Sequence, residues 1–190
     1  MKVDRIITGP IGENCWIIVD GNLTAAVIDP GDDGKKIVAC IRNNGYKVEW
    51  ILLTHNHFDH VGALAEVQQA TGAKIAIHGA DAGGLDIQPD LMVAGGDILK
   101  CGELSFLVVH TPGHTPGGVL YICGNKMFSG DTLFYQSIGR TDLPGGDFTQ
   151  LRESLLKIRD LPYTDLKIYP GHMRTTTLIQ ERESNPFFGI

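Results

Sequence analysis

The sequence predicts mixed α/β layers, and three observations carry that prediction. Short runs rich in Val and Ile alternate with stretches of helical period. No low-complexity segment, internal repeat or linker interrupts the 190 residues. A chain of this length with 43% hydrophobic residues supports one sizeable core but hardly two, so residues 1–190 read as a single domain.

Taken in order, residues 2–8, 14–19 and 24–28 read as a β-meander, with "DGN" at 20–22 supplying turn chemistry between the second and third runs. Residues 31–33 open a helix that runs to about Asn44, where Gly45 can take the left-handed conformation that ends it. "EWILLT" (49–54) is a buried strand, and Val61–Thr71 a helix closed by Gly72. Strands follow at 74–77, 97–100, 104–110, 118–123 and 126–129, the last two joined by a turn at "GN" (124–125). Helices near 148–159 and 174–184 flank "KIYPGH".

Composition excludes several functions. Carboxylates number 22 against 16 Lys and Arg, a net charge of -6, which gives no general attraction to nucleic acid or anionic membranes. No apolar run approaches the ~20 residues that cross a bilayer. Cys15, Cys40, Cys101 and Cys123 are scattered without a CxxC pair, and the first residues lack the basic and apolar regions of a signal peptide. The expectation is a cytoplasmic protein with reduced thiols and no nucleic-acid or membrane partner.

The chemistry is concentrated in "THNHFDH" (54–60), which holds three of only seven histidines. In an extended strand end, residues two apart project to one side, so His55 and His57 can reach one ion together. Asp59 and His60 are adjacent and need a turn to redirect them, which a second ion beside the first would reward. Neutral imidazole and carboxylate are ligands of zinc, manganese or iron, and a carboxylate can bridge two metals. A polar loop that merely caps the next helix has no use for three imidazoles. Three later strand ends offer the rest of two coordination spheres: His114 in "HTPGHTPGG" (110–118), Asp131 in "FSGDTLF" (128–134) and His172 in "YPGH" (169–172).

"THNHFDH" resembles the HxHxDH signature of the metallo-β-lactamase superfamily, and His114, Asp131 and His172 fall in its later motifs. The resemblance covers nearly the whole chain and implies an αβ/βα sandwich, two mixed sheets face to face with helices outside. It implies that His55, His57 and His114 hold one metal, that Asp59, His60 and His172 hold a second, and that Asp131 bridges them, with Asp59 and Asp131 taking catalytic parts. It further implies two divalent ions, zinc first, with iron or manganese as alternatives. Asp131 stands where β-lactam-hydrolysing zinc enzymes have cysteine, and His57 where flavodiiron proteins have glutamate. "FSGDTLFYQSIGRTDLPGGD" and "PGHMRTTTLIQERESNPFF" are similar to the short glyoxalase II type, hydroxyacylglutathione hydrolases without a separate helical domain. Arg140 lies where those enzymes have a basic residue for the peptide part of glutathione, whereas Asp142 replaces an aromatic one. Met173 and Arg174 replace small residues, putting charge at the pocket mouth. Phe134 and Tyr135 either line the substrate groove or pack its floor.

That resemblance implies a thioesterase in which a metal-bridging hydroxide attacks the carbonyl of a small-molecule thioester. Metal coordination lowers the pKa of water from about 15.7 to roughly 7, and two ions about 3.5–4 Å apart can hold the hydroxide between them. Asp59, Asp131 and the hydroxide leave a residual positive charge for the developing oxyanion. The rival is a single-iron persulfide dioxygenase using His55, His114 and Asp131; other small esters and thioesters are further substrates of the superfamily. A non-catalytic scaffold does not need an intact ligand set. His78 reads as an ordinary polar residue, His110 as structural, and Cys15 as a core thiol. Asp29 in "VIDPG" is either turn chemistry or a carboxylate orienting a ligand histidine.

Overall fold

Strand β2 (Glu13–Val19) is buried at every position, and the reason sets the architecture. Its sheet is covered on both faces, so alternate side chains enter different cores rather than alternating between core and water. Cys15, Ile17 and Val19 pack with Ile37 and Ile41 of helix α1 (Gly34–Asn44) and Val67 of helix α3 (Leu64–Thr71). Trp16 and Ile18 point the other way, to Phe106, Tyr121 and Phe128.

In the computed structural model, which describes residues 1–189, two six-stranded sheets face each other across this second core. The first sheet runs β1 (Lys2–Thr8), β2, β3 (Thr24–Ile28), β4 (Lys47–Leu52), β5 (Lys74–His78), β6 (Leu91–Val93); the meander is antiparallel and the rest parallel. The second comprises β7 (Ile98–Cys101), β8 (Leu104–His110), β9 (Val119–Cys123), β10 (Lys126–Gly130), β13 (Lys167–Pro170) and β14 (Thr176–Thr177). Its pairings are antiparallel except β10 with β13. Between those two strands in sequence comes a small hairpin, β11 (Leu133–Phe134) with β12 (Ser137–Ile138). Helices α5 (Phe148–Arg159) and α6 (Leu178–Ser184) cover the second sheet's outer face through Leu151, Leu155, Ile158 and Leu178, packed on Leu120, Ile122 and Ile168. Each such buried side chain contributes about 1.5–3 kcal/mol over its exposed state.

Several boundaries differ from the sequence reading. The helix expected over 61–71 is two: α2 (Phe58–Val61) begins inside the histidine motif, and α3 follows after Gly62 and Ala63. The last helix starts at Leu178, not 174, because Thr177 accepts from the Gln180 amide at 3.2 Å and caps it. Strand β6, the 133–138 hairpin and helix α4 (Gly79–Ala82) were not expected. Gly45 and Gly72 do end α1 and α3 with φ of 68° and 69°.

The two ends of the sheets carry different loops. The hairpin turns after β2, β7 and β9 gather at one end with Met1: Asn22 donates to Glu103 at 3.0 Å, and the Glu103 amide donates to Asp20 at 3.0 Å. The segments leaving β3, β4, β5, β8, β10 and β13 lie at the other, and every histidine and aspartate of the expected ligand set comes from them. No helix among the described residues is long and apolar enough to cross a membrane.

Candidate metal centre

The end of one parallel strand, β4, delivers the first donors. Beyond β4, Thr54 donates from its amide and hydroxyl to the two Asp29 oxygens at 2.7 and 2.6 Å, tying this corner to the end of β3. His55 and His57 then project together, and the short helix α2 turns Asp59 and His60 toward them. From the second sheet, His114 follows β8, Asp131 follows β10 and His172 follows β13. Asn14 and Trp16 donate to the Pro170 carbonyl at 2.9 and 3.0 Å, and the Asn14 amide donates to Gly171 at 2.7 Å, which fixes the turn carrying His172.

All seven expected ligands meet. His55, His57 and His114 each present one ring nitrogen within 4.8 Å of the others, and so do the donor atoms of Asp59, His60 and His172. His57 Nδ1 lies 2.9 Å from His114 Nε2, and His172 Nε2 lies 3.1 Å from Asp59 Oδ2. The Asp131 carboxylate stands between the groups, 3.2 Å from His60 Nε2, 3.5 Å from His172 Nε2 and 3.6 Å from His114 Nε2. A Cβ at Gly171 would collide with that carboxylate and sit 2.6 Å from His60 Cε1, so only glycine fits there.

The hydrogen bonds behind the rings assign their protons. Thr54 has given its hydroxyl proton to Asp29, so at 3.0 Å it can only accept from His55 Nδ1. The Arg140 carbonyl, an acceptor only, takes the His114 Nδ1 proton at 2.7 Å. Asp29 takes that of His60 Nδ1 at 3.0 Å. With Nδ1 engaged behind each ring, the Nε2 atoms of all three face the shared space. The Nε2 atoms of His55 and His60 and Oδ1 of Asp131 are buried without a hydrogen-bond partner. Buried polar atoms of that kind are costly unless something binds them, and imidazole nitrogens with carboxylates are the donor set of divalent metals. Burial also holds the His55 pKa well below the ordinary imidazole value, keeping its lone pair free.

Asp29, His55 and His60 also lie close enough to share an ion. The oxygens of Asp29 are engaged with Thr54 and His60 Nδ1, on the far side of the rings, which makes it an orienting carboxylate. Beside it, Glu13 accepts from Thr8 at 2.7 Å, and its other oxygen lies 4.0 Å from His60 Nδ1. Burial pushes this carboxyl up to about 9, so it is neutral over the physiological range. Sequence reasoning missed Glu13, because one glutamate at the start of an apolar strand gives no local signal of the strand opposite.

The expected substrate residues divide. Phe134 is buried and meets His172 edge to face with centroids 5.9 Å apart, so it floors the site. The Arg174 guanidinium lies 3.7 Å from the centroid of the Tyr135 ring and covers it. Arg140 pairs through two 2.7 Å bonds with Asp142, both exposed, while its carbonyl serves His114. His78 and His110 stack face to face at 4.1 Å, away from the ligand set.

Residues 8–172 match the Metallo-beta-lactamase superfamily, and the chain belongs to it. It is 35% identical to the hydroxyacylglutathione hydrolase GloC of Haemophilus influenzae over 215 residues, covering 98% of both chains. The crystal structure of BLEG-1 B3 metallo-beta-lactamase is 35% identical with a TM-score of 0.92, over 98% of this chain and 99% of that one. TTHA1623, crystallised in a di-iron-bound form, is 36% identical with a TM-score of 0.86, over 97% and 99%. The fold class and the superfamily expected from the motifs therefore hold.

Proposed function

We propose that the chain is a binuclear metal-dependent hydrolase that cleaves a small-molecule thioester of the hydroxyacylglutathione type. The observation that carries this reading is the proton assignment: His55, His60 and His114 each spend the Nδ1 proton behind the site and direct Nε2 into one space beside Asp131. His55, His57 and His114 would hold one ion, Asp59, His60 and His172 the other, and Asp131 both. Zinc is the first choice for such donors, and the di-iron form of TTHA1623 supports iron as well. Bound there, two divalent ions would supply Lewis acidity and water with a pKa near roughly 7.

The protein's own groups set the rest. Asp59 and Asp131 bring two carboxylates to the donor set, too few to neutralise two divalent ions, so the loaded centre would remain cationic and would favour negative charge on a bound carbonyl oxygen. Phe134 closes one wall to water beside His172. Arg140 can reach a carboxylate of the thiol carrier only by leaving Asp142, so Asp142→Ala is expected to lower KM for lactoylglutathione without changing kcat. An unchanged KM would remove Arg140 from the carrier site. The absence of a nucleic-acid partner belongs to the same proposal, supported by the net charge of -6, and so does a cytoplasmic location, supported by four unpaired cysteines.

The test is metal content per chain, measured with hydrolysis of lactoylglutathione, oxygen uptake on glutathione persulfide, and turnover of a chromogenic cephalosporin. About two metals with thioester hydrolysis is the expected result. One iron with oxygen uptake would move the protein to the dioxygenase reading, and cephalosporin turnover to the activity that BLEG-1 is named for.

A further inference from the structure

Outside the donor set, one buried acidic residue touches both segments that carry the three-histidine group, one through its carboxylate and the other through its main chain. Asp81 lies on helix α4 and is 1% exposed. Its Oδ2 accepts from the Thr115 hydroxyl at 2.7 Å, and its Oδ1 from the Gly117 amide at 2.7 Å. Its backbone carbonyl accepts from the Asn56 side chain at 3.0 Å. Thr115 directly follows His114, and Asn56 stands between His55 and His57.

The packing at this point leaves no slack. A Cβ on Gly117 would lie 2.5 Å from Asp81 Cγ and 2.6 Å from Oδ1, and one on Gly84 would collide with the Asn56 amide. At the end of β8, the His78–His110 stack clamps the start of the same helix to the start of the loop, with His110 Nε2 donating to the Pro116 carbonyl at 3.0 Å. The Asp81 carboxylate forms no ion pair among the described residues; it is held by two neutral donors alone. Retaining a buried charge on two neutral donors is expensive for stability alone. What the arrangement secures is position: charge-assisted bonds fix the 111–118 loop in the turn that aims His114, while Asn56 holds the His55–His57 segment to the same point.

We propose that Asp81 is the positioning residue for the His55/His57/His114 metal site, acting through Thr115, Gly117 and Asn56. The inference rests on the binuclear reading above. With Asp81→Ala, the Thr115 hydroxyl and Gly117 amide lose their acceptor and the loop that carries His114 loosens, leaving the Arg140 carbonyl alone to orient the ring. Asp81→Asn keeps an acceptor for Gly117 and offers an amide to the Thr115 oxygen, so it restores much of the geometry.

The experiment is a cobalt titration against a chelator, with circular dichroism and thermal unfolding of the metal-free proteins alongside. Wild type is expected to bind two equivalents. Asp81→Ala is expected to weaken one of the two steps by roughly 10- to 100-fold, the range for partners that orient metal ligands, leaving the other step unchanged; Asp81→Asn should recover most of the loss. Wild-type affinity at both steps in Asp81→Ala overturns the inference, and so does equal weakening of both steps with no rescue by Asn. If Asp81→Ala does not fold, Thr115→Val decides: selective weakening of one step supports the role and unchanged binding overturns it. A wild-type protein that binds no cobalt would instead sink the metal reading itself.

Discussion

The His55/His57/His114 half of the donor cluster and the Asp59/His60/His172 half differ in what stands behind them. Behind the first are neutral acceptors, the Thr54 hydroxyl and the Arg140 carbonyl. Behind the second is Asp29, bonded directly to His60, with the neutral Glu13 carboxyl beside it. A carboxylate behind an imidazole makes it a more basic ligand, whereas a carbonyl mainly orients it. On the binuclear reading, the first half would therefore owe its metal affinity to geometry, and the second more to charge. Asp131, in reach of both, is where the two meet.

The largest break in that contrast should come from Asp131→Ala, which removes the shared carboxylate: loss of both metals and of hydrolysis, with circular dichroism unchanged. Two metals retained at full rate would refute a bridging role. Next, His57→Ala is expected to lose one metal of two by elemental analysis, with activity falling to background while the fold persists. Smaller again, Asp29→Asn should weaken the second half by about 10- to 100-fold in a calorimetric titration, with a smaller loss at the three-histidine step, which Asp29 reaches only through Thr54 and His55; if both steps shift equally, the halves are not backed independently. The smallest effect on the site should come from Phe106→Ala, deep between the sheets and fully buried. It should cost about 3–5 kcal/mol by denaturant unfolding yet leave metal stoichiometry at the wild-type value.

The same division explains what the chain made readable. His55, His57, Asp59 and His60 share seven residues, and a motif that dense announces itself. His114, Asp131 and His172 were readable because each follows an apolar run with a turn behind it, so the strand-end logic that places one places all. The supporting groups are silent in one dimension. Glu13, Asp81 and the Arg140 carbonyl act across sequence separations of 26 to 47 residues, and only the pairing of strands brings them to their histidines. Asp29 was readable as a candidate but not decidable, since "DPG" suits a turn as well; its bond to His60 settles that point. The late start of the last helix was readable after all: Thr177 and Gln180 form the Thr-x-x-Gln cap signature, and Thr176 and Thr177 belong to an edge strand. For Arg140 the sequence pointed to the guanidinium, and the contact made to the cluster is through the main chain, which no side-chain identity can signal.

The crowding of every donor-bearing segment at one end of the sheets leaves the opposite end chemically idle. The turn at Gly124–Asn125 joins two strands of the second sheet there, at the far end of β10 from Asp131. Insertions of a few residues, a fluorophore or a circular-permutation break at that turn would meet no donor atom, while the same change after β8 or β13 would dismantle the cluster. The molecule thus separates where it can tolerate new sequence from where it does chemistry, and a library randomised at the idle end should keep its metals in most members.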